Sequence, residues 1–478
     1  MSVLGPSVVG GHVEAAVTEL KALLADRATT AAAVREHHSH GESYHPAAAP
    51  DAVCFPTCAK EVAEILRISA RHRVPVVPYG AGTSLEGHVN AIRGGITIDM
   101  RRMNRITRVS PEDLDVTVEA GVTRSQLNTS LRNTGLTFFI DPGTDCTIGG
   151  MAATRASGTT AVRYGTMRDN VLSLTVVLAD GRIIQTGTRA RKSSAGYDLT
   201  RLFVGSEGTL GVITDVTLKL HPVPEAVAAA MCPFATVRGA IDTAIATIQL
   251  GVSVARIELL DDTKMEAINR YSGTSYTVAP TLVFEFHGDS EEHVRNQAAT
   301  VQGLAIERGG HEFRWATKQE ERDKLWKARH DALYASLAVR PGAKAWTTDV
   351  CVPISRLAEC IMETKMDNAG ALFPIHLVGH VGDGNFHMAY ILDPDNEREV
   401  AQAHELNERM ILRALAMGGT STGEHGVGYG KKKYLADEFG PAVEVMRAIK
   451  RALDPQNRMN PGKVVDLDEL FASADRDR

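Results

Sequence analysis

The segment His380-Val381-Gly382-Asp383-Gly384-Asn385-Phe386-His387, flanked by apolar residues, constrains this chain more than any other. Read as a hairpin whose two-residue turn is Asp383-Gly384, it sets Gly382 opposite Asn385, Val381 opposite Phe386 and His380 directly opposite His387. Paired positions project to one face of the sheet with Cβ atoms about 4.5–5.5 Å apart. Two imidazoles held that way can share a metal ion. On one unbroken strand the odd spacing would send them to opposite faces, so the turn makes the site possible. The same residues also fit an ordinary hairpin with two polar surface histidines.

At 478 residues the chain is long enough for two large domains or three smaller ones. Lys and Arg number 52 against 58 Asp and Glu, a formal charge of -6, which offers no electrostatic footprint for nucleic acid. The cysteines at 54, 58, 146, 232, 351 and 360 are scattered, which predicts reduced thiols rather than a disulfide framework. Cys54 and Cys58 have no second pair with which to bind zinc or an iron–sulfur cluster. No basic region followed by an apolar run opens the chain, and no segment reaches the length of a membrane span. The expected location is the cytoplasm, with peripheral contact at the inner membrane left open.

Along the chain, residues 1–52 read as an N-terminal arm: an amphipathic helix over Val13 to Ala25, then a His-rich stretch (His37, His38, His40, His45) expected to be solvated. From Val53 short strands alternate with helices, including a helix from Ala59 to Arg73 and a buried strand at Val74 to Pro78. That strand runs into Gly80-Ala81-Gly82-Thr83-Ser84-Leu85-Glu86-Gly87. Glycines and hydroxyls in this position suit an anion, because the backbone can approach closely and successive N–H groups form a nest. It is neither the dinucleotide fingerprint nor a P-loop. Further glycine-dense segments follow at Pro142 to Gly158, at Arg163-Tyr164-Gly165 and at Gly205 to Thr214. Converging loops of this kind would wrap a long anionic ligand.

In order and content these segments resemble the FAD-binding domain of the vanillyl-alcohol oxidase and para-cresol methylhydroxylase superfamily, over about residues 53–222. The resemblance implies that Pro78, Gly80, Ala81, Gly82, Thr83, Ser84 and Gly87 hold the pyrophosphate. It implies that Pro142, Gly143, Thr144, Thr147, Gly149, Gly150, Ala153, Ser157, Gly158 and Tyr164 line the flavin, with Glu207, Gly208, Gly211, Val212, Ile213 and Asn460. The first loop has no histidine before His88, so the FAD is expected to be non-covalent. The expected fold is α+β, a two-part FAD-binding domain of this type with an α+β cap. Residues 223–453 form that cap, which has a largely antiparallel sheet and bears substrate and metal. Residues 454–478 return to the flavin domain and end in a charged, frayed tail after about Asp468.

A histidine pair needs a further ligand, and Glu424 in the glycine-rich loop Gly418–Gly428 can supply it, beside His425. Two histidines and a carboxylate with open positions suit Zn²⁺, Mn²⁺, Co²⁺ or Fe²⁺. His-x-Gly-Asp-Gly-Asn-x-His, Gly-Glu-His-Gly and the late Asn-Pro-Gly-Lys resemble the FAD-linked D-2-hydroxyacid dehydrogenases, whose members oxidise D-lactate, D-2-hydroxyglutarate or glycolate. The resemblance implies metal ligands His380, His387 and Glu424, a base at His425 and a substrate-carboxylate arginine at Arg329. The hydroxyglutarate members carry a lysine and an asparagine where this chain has Thr347 and Ala389, which favours a monoacid such as D-lactate. The expected partners are a small 2-hydroxyacid and a separate electron acceptor: a cytochrome, a quinone or an electron-transfer flavoprotein. A homodimer is the candidate assembly. Rival readings are a diacid or glycolate enzyme, a flavin subunit that needs a partner, and a metal-only hydrolase or non-haem iron oxygenase.

Overall fold

The computed structural model describes residues 10–467, so the expected frayed tail lies outside the described residues. The chain divides into two compact units: Met1–Ala156, Thr166–Pro222 and Glu424–Arg478 form the first, Ser157–Gly165 and Val223–Gly423 the second. The return to the first unit therefore begins at Glu424, ahead of the expected Asp454.

In the first unit the helix Ala59–His72 buries Val62, Ile65, Leu66 and Ser69, the one-face spacing of an amphipathic helix, and ends where Arg73 turns left-handed at φ 54°. It leads to the strand Val76–Tyr79, which pairs in parallel with Ile96–Asp99; that strand in turn pairs in parallel with Ala52–Cys54. A second, antiparallel sheet runs in the order Ile106–Ser110, Asp115–Glu119, Val212–Lys219, Val171–Val177, Ile183–Gln185. The glycine-dense stretch after Thr147 is a helix, Ile148–Thr154, capped by the Thr147 hydroxyl. Glycine is needed there because a Cβ on Gly149 would lie 2.5 Å from the Ala120 Cβ.

Two features of this unit depart from the sequence reading. The His-rich stretch is not a solvated arm: His38 and Ser39 are buried, and His38 Nε2 lies 3.0 Å from Asp99 Oδ2. The late segment adds its own backbone to the first sheet, since Val76 N–H donates to Arg458 O at 2.8 Å and Asn460 N–H to Val76 O at 2.7 Å.

The second unit is built on one antiparallel sheet in the order Arg314–Ala316, Ala226–Pro233, Thr281–Gly288, Val254–Leu260, Ile375–His380, Asn385–Leu392, Lys344–Thr347, with Val350–Cys351 also paired to Asn385–Leu392. Glu258 pairs with His380 and with Val283, so these positions share a face. Apolar residues of that face, Ala229, Met231, Leu260 and Val283, pack with Met265, Ile268, Trp326, Ala332 and Ala335 from helices Asp262–Ser272, Gln319–His330 and Ala332–Ala338. The helix Asp262–Ser272 was not anticipated, although Asp261 caps it by accepting from Lys264 N–H at 3.0 Å.

Candidate functional site

The hairpin forms, but in a different register from the one expected. Val378, not His380, is the partner of His387; His380 pairs with Asn385, and residues 381–384 make the connection. The longer turn follows from the neighbouring strand, where Val352 N–H takes the Gly384 carbonyl at 3.0 Å and holds Gly384 out of a two-residue turn. Gly384 has φ 82°, and a Cβ there would meet Val352 O at 2.1 Å. His380 is therefore diagonal to His387, two residues along the same face. Diagonal positions remain within reach of long side chains, and the two ring centroids are 5.3 Å apart.

Both rings are oriented from behind. His380 Nδ1 lies 2.6 Å from Glu258 Oε1, and His387 Nδ1 lies 2.8 Å from the Thr348 carbonyl. With Nδ1 donating, Nε2 keeps its lone pair on each ring, the tautomer a metal needs. One potential ligand atom from each of His380, His387 and Glu424 lies within 4.8 Å of the other two. Two imidazoles and a carboxylate, with a carboxylate and a carbonyl behind the rings, are a donor set that fits a divalent cation.

Glu258 was not singled out from the sequence. It is fully buried; burial raises its pKa, but His380 and Arg329 more than offset this and hold it below the ordinary glutamate value. Its signal was a single carboxylate inside the apolar strand Val254–Leu260. Arg329 donates from Nε to the other Glu258 oxygen at 2.7 Å, so it shares a carboxylate with His380. Among the described residues its Nη groups have no hydrogen-bond partner.

Asp349 and Asn385 were also missed. Asn385 Nδ2 donates to Asp349 Oδ1 at 2.7 Å, and Thr422 Oγ1 to Asp349 Oδ2 at 2.8 Å, fixing the backbone just ahead of Glu424. A Cβ on Gly423 would lie 2.3 Å from Asn385 Nδ2. His425 follows, its Nε2 4.0 Å from Glu424 Oε1.

In the first unit the segments resembling a flavin site meet. A Cβ on Gly80 would lie 2.3 Å from Thr147 Oγ1, and one on Gly208 2.8 Å from Pro78 Cγ. Thr83 Oγ1 is 3.2 Å from Cys146 Sγ, and Glu207 N–H donates to Ala153 O at 2.8 Å. Asn460 Nδ2 donates to the carbonyls of Glu207 and His88 at 2.8 and 3.0 Å. Ser84 Oγ and Ser206 Oγ are buried without hydrogen-bond partners among the described residues, which fits a cradle for a polar cofactor. Three residues of the expected set do not join them. Ser157, Gly158 and Tyr164 belong to the second unit, where Tyr164 Oη lies 2.6 Å from His287 Nδ1. The Glu207 carboxylate is occupied by backbone N–H groups of Val427 and Gly428 at 2.7 and 2.8 Å.

The C-terminal domain of FAD linked oxidases matches residues 223–464, and an FAD binding domain matches residues 50–187. A probable mitochondrial D-lactate dehydrogenase of Danio rerio is 51% identical, covering 95% of this chain and 92% of that protein. The mitochondrial D-lactate dehydrogenase [cytochrome] of Arabidopsis thaliana is 48% identical over 94% of this chain and 80% of that protein. Among solved structures, substrate-bound p-cresol methylhydroxylase superposes with a TM-score of 0.80 at 20% identity, covering 98% of this chain and 99% of that one, which shows a shared fold. The expectation of a cytoplasmic protein is corrected by these relatives, whose names point to mitochondria. No helix among the described residues is long and apolar enough to cross a membrane.

Proposed function

Because this chain belongs to the FAD-linked oxidases of the vanillyl-alcohol oxidase and para-cresol methylhydroxylase type, we propose that it oxidises D-lactate to the 2-oxoacid with FAD and a divalent cation. The observation that carries the metal part of this reading is the gathering of His380, His387 and Glu424 ligand atoms within 4.8 Å. When bound, FAD supplies the hydride acceptor and the cation a Lewis acid that lowers the pKa of a coordinated hydroxyl. Arg329, anchored through Nε by Glu258, offers its two Nη groups to the substrate carboxylate. His425 takes the proton of the C2 hydroxyl as the C2 hydride departs. The FAD is held without a covalent bond, through Pro78 to Gly87, Pro142 to Ala153 and Gly208 to Ile213.

Thr347 and Ala389 support a monoacid. They are direct partners in the sheet, and Ala389 lies on the His387 face, so neither position offers a cation or amide to a distal carboxylate. Electrons then leave to a cytochrome, in line with the name of the Arabidopsis relative.

The test is stopped-flow flavin reduction by D- and L-lactate, glycolate, D-2-hydroxybutyrate and D-2-hydroxyglutarate, with intact enzyme and His387→Ala. D-lactate or a slightly longer D-monoacid should reduce fastest, and His387→Ala should keep its FAD but lose turnover. Preference for D-2-hydroxyglutarate, or full activity in metal-free buffer, refutes the corresponding part.

A further inference from the structure

The carboxylate of Glu207 sits where a flavin-lining residue was expected, yet both of its oxygens serve a different segment of the same unit. Oε1 accepts from Val427 N–H at 2.7 Å and Oε2 from Gly428 N–H at 2.8 Å. These amides come two and three residues after His425 in the chain Glu424-His425-Gly426-Val427-Gly428. The glutamate is 6% exposed, and His88 Nε2 stands 3.2 Å from Oε2.

The loop is shaped to lie against this carboxylate. Gly426 has φ 83°, and a Cβ there would be 2.7 Å from Glu207 Oε1 and 2.6 Å from His88 Nε2. Gly428 has φ 50°, and a Cβ there would fall 1.8 Å from the Glu86 carbonyl. Neither position can carry a side chain without moving the loop. The carboxylate is itself held. Asn460 Nδ2 grips the carbonyls of Glu207 and His88, and Lys463 Nζ donates to His88 O at 3.0 Å and to Asn460 Oδ1 at 2.9 Å. Glu207 also has a left-handed backbone, φ 53°, which a non-glycine residue adopts only where its surroundings fix it.

We infer that Glu207 is a positioning residue that fixes, through the amides of Val427 and Gly428, the backbone presenting Glu424 and His425. The inference rests on the roles proposed above for those two residues. A buried anion accepting two short backbone hydrogen bonds holds a loop far more tightly than a neutral side chain does, because charge-assisted bonds are about twice as strong. Its effect should fall on the step that uses His425 and Glu424, and not on FAD binding.

Glu207→Gln tests this in the full-length enzyme. The amide keeps the shape but turns an NH₂ toward one of the two backbone donors. Flavin content and the rate of reduction by dithionite should stay unchanged. The limiting rate of reduction by D-lactate should fall about 10- to 100-fold, the loss of one such bond to a charged group, while the half-saturating lactate concentration changes less than about threefold. Metal retained after dialysis, measured by mass spectrometry, should also fall. An unchanged limiting rate with native metal content overturns the inference, and so does loss of FAD at the same time as activity. Should Glu207→Gln fail to fold, Glu207→Asp, which shortens the reach of the carboxylate to the two amides, carries the same test with the same expected and refuting results. His425→Asn separates the two readings: if it reduces at the native rate, the proposed base is wrong, whereas a slow His425→Asn beside a fast Glu207→Gln rejects only the positioning role.

Discussion

Glu258→Gln should disable the proposed metal centre while leaving the flavin site intact. Glu258 is fully buried and serves two donors with separate oxygens, His380 Nδ1 at 2.6 Å and Arg329 Nε at 2.7 Å. Glutamine has one carbonyl oxygen and one NH₂, so one of the two donors must face a hydrogen rather than a lone pair. A buried donor left without an acceptor costs about 1–3 kcal/mol. If the carbonyl stays with His380, Arg329 loses its anchor and its counter-charge. If it stays with Arg329, the imidazole is no longer held in the tautomer that exposes Nε2. Removing such an outer partner of a metal-binding histidine typically lowers metal affinity about 10- to 100-fold. The assay is metal titration of the chelator-treated protein, followed by stopped-flow reduction with D-lactate at saturating metal. We expect weaker metal binding by that factor, a lowered reduction rate even when metal is replenished, and unaltered flavin absorbance. Metal affinity and reduction rate both within twofold of the parent would refute the role given to Glu258.

Two further outcomes follow from the second unit. Thr347→Lys with Ala389→Asn, placed opposite each other on neighbouring strands, should shift the preference from D-lactate toward a five-carbon D-2-hydroxy diacid; an unchanged substrate order would reject the monoacid argument. His376 is buried, and its pKa is pushed down to about 4 by burial first and then by Lys264. Above its ordinary 6.5 both folded and unfolded states are neutral, but between 6.5 and about 4 only the unfolded chain takes up the proton. Stability should therefore decline as pH falls across that window, by up to about 3 kcal/mol, and flatten below it. Denaturant unfolding of His376→Gln, which lacks the titrating group, should show a shallower decline; an identical slope would assign the effect elsewhere.

Long, regularly patterned elements were readable in the sequence. The helix Ala59–His72 lies within a residue of its expected bounds, because burial on one face writes a period into the chain. The gathering of His380, His387 and Glu424 was readable because ligand chemistry restricts residue type. What could not be read depends on neighbours remote in sequence. The turn length at Gly384 is set by Val352, and the helix at Ile148 by a glycine that must clear Ala120. Tyr164 sits in the second unit because Arg163 donates to Ser253 O and His287 O. Glu258 was hidden for the opposite reason: a single acid in an apolar strand looks like noise until its two partners are seen.

The late backbone that pairs with Val76 has a consequence for how the protein is made. Val76 waits for Arg458 and Asn460 to complete its hydrogen bonds, although these are joined to the chain about 380 residues later. During translation the first sheet emerges early and must stand with that edge unpaired until residues 458–460 have left the ribosome. An exposed edge is open to wrong pairing with other chains. The nascent protein therefore needs shielding in proportion to the time taken to synthesise the second unit, and slowing elongation within residues 223–423 should increase aggregation more than slowing it after residue 460.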